Sequence, residues 1–421
     1  MFPKIRNILF LVLSSIIFLN SCIEQAVRYN NEPENSMVFV ASTDKNIYAL
    51  DAHTGAKLWS IEVNSPIIQG PIVTDSMMYV GCTDQKMYAY NYLKKALRWS
   101  VSVGNMVNLT LGNNVIHARN TDKTFRTFNL EDGRKLWETS ISAISYDSIP
   151  AVGSDVVVIR NRENILTAFN AQNGNVQWSI KTVNLQANPI VSNGLTYFIN
   201  TFTSSRSIPF VGDFSYKNAY KKVSVVALNN ANGSIKWQYS LGKSGLTALN
   251  LVDSRNYLYL VDSDKRLLGI SKEGGVLKNN YYSGISNVKT LFVANNLIHV
   301  QTEKENLYAV DSSLTFKKWA FSEDTRIQDN PNIISGIIFA GTYNRTFYAI
   351  DGKTGAKKWA FETGDISPAR STFSNDIVFI SSQDGNVHAL DAETGTKKWS
   401  FKTNGKIYSR PVVLTVDKKI L

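Results

Sequence analysis

The chain is poor in the residues that most reactions need. Among 421 residues there are two cysteines, Cys22 and Cys82, and four histidines, His53, His117, His299 and His388. No His-x-x-His or Cys-His spacing suggests a metal centre, and no nucleophile elbow, phosphate loop or dinucleotide fingerprint stands in a suitable context. His117 and His299 occupy strand positions that hold Phe39 and Phe379 in other units, which makes them structural. The recurring carboxylates, Asp384 and Glu393 among them, are turn residues rather than an acid–base pair. Cys82 lacks a partner for an intramolecular disulfide and reads as a small buried residue. Basic runs are also absent. The formal net charge is +11, or about +9 without Lys4 and Arg6, and it is spread along the chain, so nucleic acid is not the expected partner. This excess fits a solvated, lysine-rich surface; attraction to anionic lipid headgroups or an acidic partner is the other reading.

Long apolar runs are missing too. The longest, Ile8 to Leu19, has twelve mostly apolar residues, too few for a mature transmembrane helix. Preceded by Lys4 and Arg6, it suits a secretory leader. It ends in Leu19-Asn20-Ser21-Cys22, which resembles a bacterial lipobox, although Asn20 departs from the small or aliphatic residue usual there. That resemblance implies removal of residues 1–21 and attachment of palmitate-type acyl chains at Cys22, a firm membrane anchor. Ile23 after the cysteine implies sorting to the outer membrane. Residues 22–37 are polar and aperiodic and read as a flexible tether.

What the chain has in abundance is repetition. Its eight tryptophans, at 59, 99, 137, 178, 237, 319, 359 and 399, are separated by 40, 38, 41, 59, 82, 40 and 40 residues. A period near 40 residues is the mark of a repeat architecture. The gap of 82 is two periods with one tryptophan missing, and the gap of 59 contains an insertion at about 202–221. Ten residues before each tryptophan stands a small residue, Ala49, Ala89, Thr127, Ala168, Ala227, Ala309, Ala349 or Ala389. Gly269 fills the same column in the degenerate sixth unit, where Asn279 replaces tryptophan. Nine units result.

The last unit, Ile377 to Thr403, shows the local physics. Ile377–Ser381 and Asn386–Asp391 are β-branched and aromatic runs suited to strands. Asp384-Gly385 between them suggests a two-residue hairpin. Ala392 to Gly395 forms the next turn, with Asp391 free to accept backbone bonds ahead of it. Trp399 then marks a third strand and offers a large apolar body for packing on a neighbouring sheet. A fourth, innermost strand precedes each unit from the second on, as in Asn64–Val73. The first unit has none before Val38, and Ile407–Leu414 has no unit after it, so the two termini are expected to close a ring. The fold class is therefore all-β, a β-propeller of four-stranded blades over 38–421.

The units Ile47–Val63 (IYALDAHTGAKLWSIEV) and Phe347–Thr363 (FYAIDGKTGAKKWAFET) resemble the repeat of pyrroloquinoline-quinone (PQQ) type propellers. Quinoprotein dehydrogenases of that class imply adjacent cysteines and a calcium site, and the adjacent cysteines are missing here. Lipobox and propeller together, with Tyr257–Val276, resemble the BamB family of outer-membrane β-barrel assembly lipoproteins. The resemblance implies eight blades, no cofactor, no enzymatic activity and a scaffold role on the periplasmic face of the outer membrane. The implied partners are the periplasmic domains of the barrel assembly protein and other members of its complex. A partner-contacting stretch of that family falls on Ile144-Ser145-Tyr146-Asp147, without the arginine often found there, and an acidic pair falls on Asn184 and Gln186. Phe210, Phe214, Tyr216 and Tyr220 in the insertion, interleaved with basic residues, form a second candidate partner surface; a loop folded over the rim is the alternative. A PQQ-dependent periplasmic oxidoreductase, or an envelope propeller lipoprotein with another binding role, are the competing functions.

Overall fold

The computed structural model describes residues 36–140, 150–161, 163–182, 188–203, 221–242, 251–262, 264–282, 288–302, 306–323, 327, 331–365 and 371–415. Among them are nine four-stranded antiparallel sheets and no helix. The nine units of the sequence are nine blades of one ring, and the expectation of eight taken from family resemblance is corrected. Each blade has the same four strands, so the degenerate sixth unit is a full member of the ring.

The first blade is assembled from both termini. Its innermost strand is Val412–Leu414, which pairs with Met37–Ala41, followed by Asn46–Asp51 and Lys57–Glu62. The closing strand is shorter than the expected Ile407–Leu414. Polar contacts reinforce the joint: the Thr43 amide bonds the Lys406 carbonyl at 3.0 Å, and the Asn404 amide bonds an Asp44 carboxylate oxygen at 2.8 Å. A closed ring leaves only the outermost strands as edges. In the last three blades these begin with Lys317-Lys318, Lys357-Lys358 and Lys397-Lys398, charges that oppose unwanted edge-to-edge pairing.

The tryptophan column has a geometric cause. In every blade the column residue of the third strand pairs with that of the fourth: Ala49 with Trp59, Ala389 with Trp399, Gly269 with Asn279. A small residue there leaves room above it for the indole. The indole then reaches into the next blade, over the turn between that blade's third and fourth strands. A Cβ added to Gly395 would lie 2.6 Å from the Trp359 ring, and one added to Gly55 would lie 2.6 Å from Trp399. These turn glycines also hold φ of +72° and +73°, a region that L side chains avoid. Glycine is therefore required twice over. The indole nitrogen completes the lock by donating to a turn carbonyl, Trp359 to Ala392 at 2.9 Å and Trp399 to Ala52 at 3.1 Å.

Hydrophobic packing follows the same seams. Val38, Val40, Tyr48 and Leu50 of the first blade form one buried cluster with Phe379, Val387, Ala389 and Trp399 of the ninth. Two local expectations were revised. The Asp384-Gly385 hairpin is not a two-residue turn. Gly385 alone takes positive φ, at +88°, its amide bonds the Ser382 carbonyl, and Ser382 bonds Asn386, which is a three-residue loop with a left-handed last residue. The register Ser381↔Val387 leaves too much chain for the tighter turn. Asn64–Val73 contracts to a strand over Ile67–Val73. The turn role of Asp391 is as expected, with one carboxylate oxygen accepting the amides of Glu393 and Thr394.

Candidate binding cleft between the fifth and sixth blades

The fifth blade comprises Ile190–Ser192, Leu195–Thr203, Lys221–Asn229 and Ile235–Gly242. The sixth comprises Val252–Asp253, Tyr257–Val261, Arg266–Ser271 and Leu277–Tyr282. A cleft of about 430 Å³ opens where they meet. Its walls come from the first turn of each blade, from the start of the fifth blade's outermost strand and from the last turn of the sixth. Lys236, Arg255 and Lys272 line it, with Glu273 as the carboxylate among the lining residues and Tyr197 and Tyr257 as its aromatic walls.

Lys272 organises the sixth-blade wall. It directly follows the turn position of Asp51 and Asp391, where the other blades carry Ala52, Tyr92, Leu130, Ala171, Asn230, Ser312, Gly352 and Ala392. It is the charged member of that column, and it is 6% exposed. Burying an ammonium group is costly unless it is paired. Here Nζ lies 2.7 Å from an Asp253 carboxylate oxygen, 3.0 Å from Ser192 Oγ across the seam and 3.2 Å from the Ser254 carbonyl. The Lys272 carbonyl accepts the Trp237 indole at 2.8 Å, so one residue carries both the tryptophan lock and the cleft wall.

Tyr197 faces it from the fifth blade. The residue is fully buried, and its hydroxyl has no hydrogen-bond partner among the described residues. Burial first, and then the Asp253 charge, push its pKa up to about 12, so it is a neutral phenol. At the same strand position in two other blades the hydroxyl is satisfied: Tyr79 donates to the Leu130 carbonyl at 3.1 Å and Tyr259 to the Ser312 carbonyl at 3.3 Å. Sequence reasoning missed this cleft. The available signal was Lys272, a charge in an otherwise uncharged column.

The residues singled out from the sequence lie elsewhere. Cys22, Ile144, Ser145, Phe210, Phe214, Tyr216 and Tyr220, and also Asn184 and Gln186, fall outside the described residues. The strands that flank two of these segments are described. Ser140 ends the third blade's outermost strand, and the Thr203↔Lys221 pair ends a hairpin in the fifth blade. Strand direction alternates within a blade, so these ends share one face of the disc, and the cleft opens on the other. Three of the histidines, His117, His299 and His388, serve as packing groups, and His53 is exposed in a turn. His299 stacks on Phe292 with ring centroids 4.7 Å apart, and His117 Nδ1 lies 2.8 Å from Thr127 Oγ1. Burial lowers the pKa of both to about 4. Cys82 is buried, and burial followed by the Asp84 charge raises its thiol pKa to about 12. Among the described residues no three His, Cys, Asp or Glu side chains gather as a metal-binding group, and no helix is long and apolar enough to cross a membrane.

The family model for outer membrane protein assembly factor BamB matches residues 33–116, 86–208, 127–315, 221–363 and 348–417, which together run through nearly the whole propeller. The chain belongs to the BamB family. No curated protein matches the sequence. Among solved structures, BamB from Moraxella catarrhalis superposes with a TM-score of 0.53 at 13% identity, covering 80% of this chain and 97% of that one. AztD from Citrobacter koseri, in its apo form, gives a TM-score of 0.53 at 11% identity over 90% of this chain and 98% of its own. The computationally designed protein Ika8 gives 0.53 at 12% identity over 75% and 95%. At such identities these likenesses establish the propeller alone, and it is the family model that sets this chain among BamB proteins.

Proposed function

We propose that this protein is a lipid-anchored, non-enzymatic scaffold of outer-membrane β-barrel protein assembly, held at the periplasmic face of the outer membrane. The observation that carries the reading is the BamB family match, which extends through the repeats from residue 33 to 417. In this reading Cys22 bears the acyl chains and residues 22–37 give the propeller reach from the bilayer. The partner is the barrel assembly protein, bound through its periplasmic domains within a larger complex. Its contacts would be made through Ile144, Ser145 and the aromatic residues Phe210, Phe214, Tyr216 and Tyr220, in the segments that follow Ser140 and Thr203 in the chain. The propeller supplies rigidity, since every blade but the first is tied to the next by a side-chain hydrogen bond to a turn carbonyl, and a rigid platform lowers the ordering cost of binding.

Deleting the gene and measuring outer-membrane barrel proteins tests this. Their levels are expected to fall, and to recover with the wild-type gene but not with Cys22→Ala. Unchanged barrel levels, with PQQ uptake and dye reduction by the purified protein, would replace the scaffold with an oxidoreductase.

A further inference from the structure

We infer that the cleft between the fifth and sixth blades is a binding site for a small carboxylate-bearing ligand, a function separate from the scaffold role, on the face of the disc opposite the strand ends at Ser140 and Thr203. Three observations converge. The cleft, about 430 Å³, falls in the size range of small-molecule sites. Its charge is positive: Lys236, Arg255 and Lys272 stand against Glu273. Asp253 already neutralises Lys272 at 2.7 Å, so Lys236 and Arg255, both exposed, are the cations at the mouth. The third observation is Tyr197. Tyr197 is a lining residue, and its hydroxyl is buried and lacks a partner among the described residues, while Tyr79 and Tyr259 at the same position in other blades have theirs. An unsatisfied buried hydroxyl costs about 1–3 kcal/mol. The propeller satisfies this column from the next blade in two places; here the donor is left over on a residue of the cleft wall.

A carboxylate meets these groups best. It accepts from the phenol on one lone pair and takes a two-point contact from the Arg255 guanidinium, the geometry that arginine is suited to provide. Lys272, tied by Ser192, Asp253 and Ser254, sets the wall and the local field and need not touch the ligand. The carboxylate could belong to a free organic acid or to the end of a short peptide, and the test separates the two.

Isothermal titration of the full-length, detergent-solubilised protein would use three probes: succinate, an N-acetylated dipeptide with a free C-terminus, and the same dipeptide amidated. Saturable binding of succinate or of the free-acid dipeptide, with a Kd near or below about 1 mM, is expected, and none for the amide. The peptide source is indicated if the free-acid dipeptide binds and succinate does not. Tyr197→Phe is expected to weaken binding about tenfold without lowering thermal stability, because it removes a hydroxyl that holds no bond among the described residues. Arg255→Gln, at an exposed position, should abolish binding with the fold intact. Absence of saturable binding by all three probes would overturn the inference. So would equal binding of acid and amide, or binding unaffected by either substitution.

Discussion

Trp399 donates its indole N–H to the Ala52 carbonyl at 3.1 Å, a bond between residues 347 positions apart that fastens the last blade to the first. The same bond recurs from Trp99 to Leu130, Trp137 to Ala171, Trp178 to Asn230, Trp237 to Lys272, Trp319 to Gly352 and Trp359 to Ala392. The sixth blade keeps the bond without the ring: the Asn279 side-chain amide donates to the Ser313 carbonyl at 3.0 Å. Leu314 of the seventh blade packs over Gly269, the residue paired with Asn279, and so takes the space an indole would fill. Trp59 is the weak link. The corresponding turn of the second blade carries Lys95 at φ +53° instead of glycine, and no hydrogen bond from Trp59 is found among the described residues.

The glycine requirement gives a first prediction. Gly395→Ala introduces a Cβ 2.6 Å from Trp359 at a φ of +72°. Left-handed strain and overpacking together should cost about 2–4 kcal/mol. Lys95→Gly should act in the opposite direction by about 1 kcal/mol, because it relieves strain at the one left-handed lysine of these turns. Urea unfolding of both variants against wild type checks the signs.

Asn279→Trp looks like a repair of the consensus and should not be one. Leu314 already fills the slot, so the added ring is expected to destabilise by about 1–3 kcal/mol. Combined with Leu314→Ala the loss should shrink, and a double-mutant cycle by chemical denaturation would show the coupling. Additive effects would mean that Leu314 does not hold the indole's place.

His299 makes stability depend on pH. Its pKa is near 6.5 when unfolded and about 4 in the fold, lowered by burial. Between those values the unfolded chain binds the extra proton, so stability rises with pH across the window and is lost as pH falls from about 6.5 towards 4. His299→Phe places there the residue found at Phe39, Phe339 and Phe379. It should flatten the dependence between pH 7 and 5, by an amount on the order of 1–3 kcal/mol. Unfolding free energies at the two pH values test it.

Cys82 should be inert. A buried thiol with its pKa raised to about 12 is protonated at neutral pH and shielded from reagents. Peptide mapping after iodoacetamide treatment should show Cys82 unmodified in the native protein and fully modified in denaturant.

The architecture was legible because each blade fills the same slots. Tryptophan spacing and the small-residue column counted nine units, each of which is a blade of the structure, and they identified Gly269 and Asn279 as members of a degenerate one. Ring closure followed from the missing strand before Val38 and the surplus stretch Ile407–Leu414, of which Val412–Leu414 forms the strand. The cleft was hidden for the opposite reason. Whether the Tyr197 hydroxyl finds a partner depends on Lys272, which lies in another repeat and is placed by the packing of two blades. The tight turn expected at Asp384-Gly385 failed because local composition suits two loop lengths, and strand register selects between them.

The central claim is that this BamB-family propeller scaffolds barrel assembly. The most direct test is capture of a C-terminally tagged chain from gently solubilised native membranes, with identification of bound proteins by mass spectrometry. The account predicts recovery of the outer-membrane barrel assembly protein, reduced when residues 204–220 are deleted. Capture of an intact, membrane-associated propeller without any component of that machinery would contradict it.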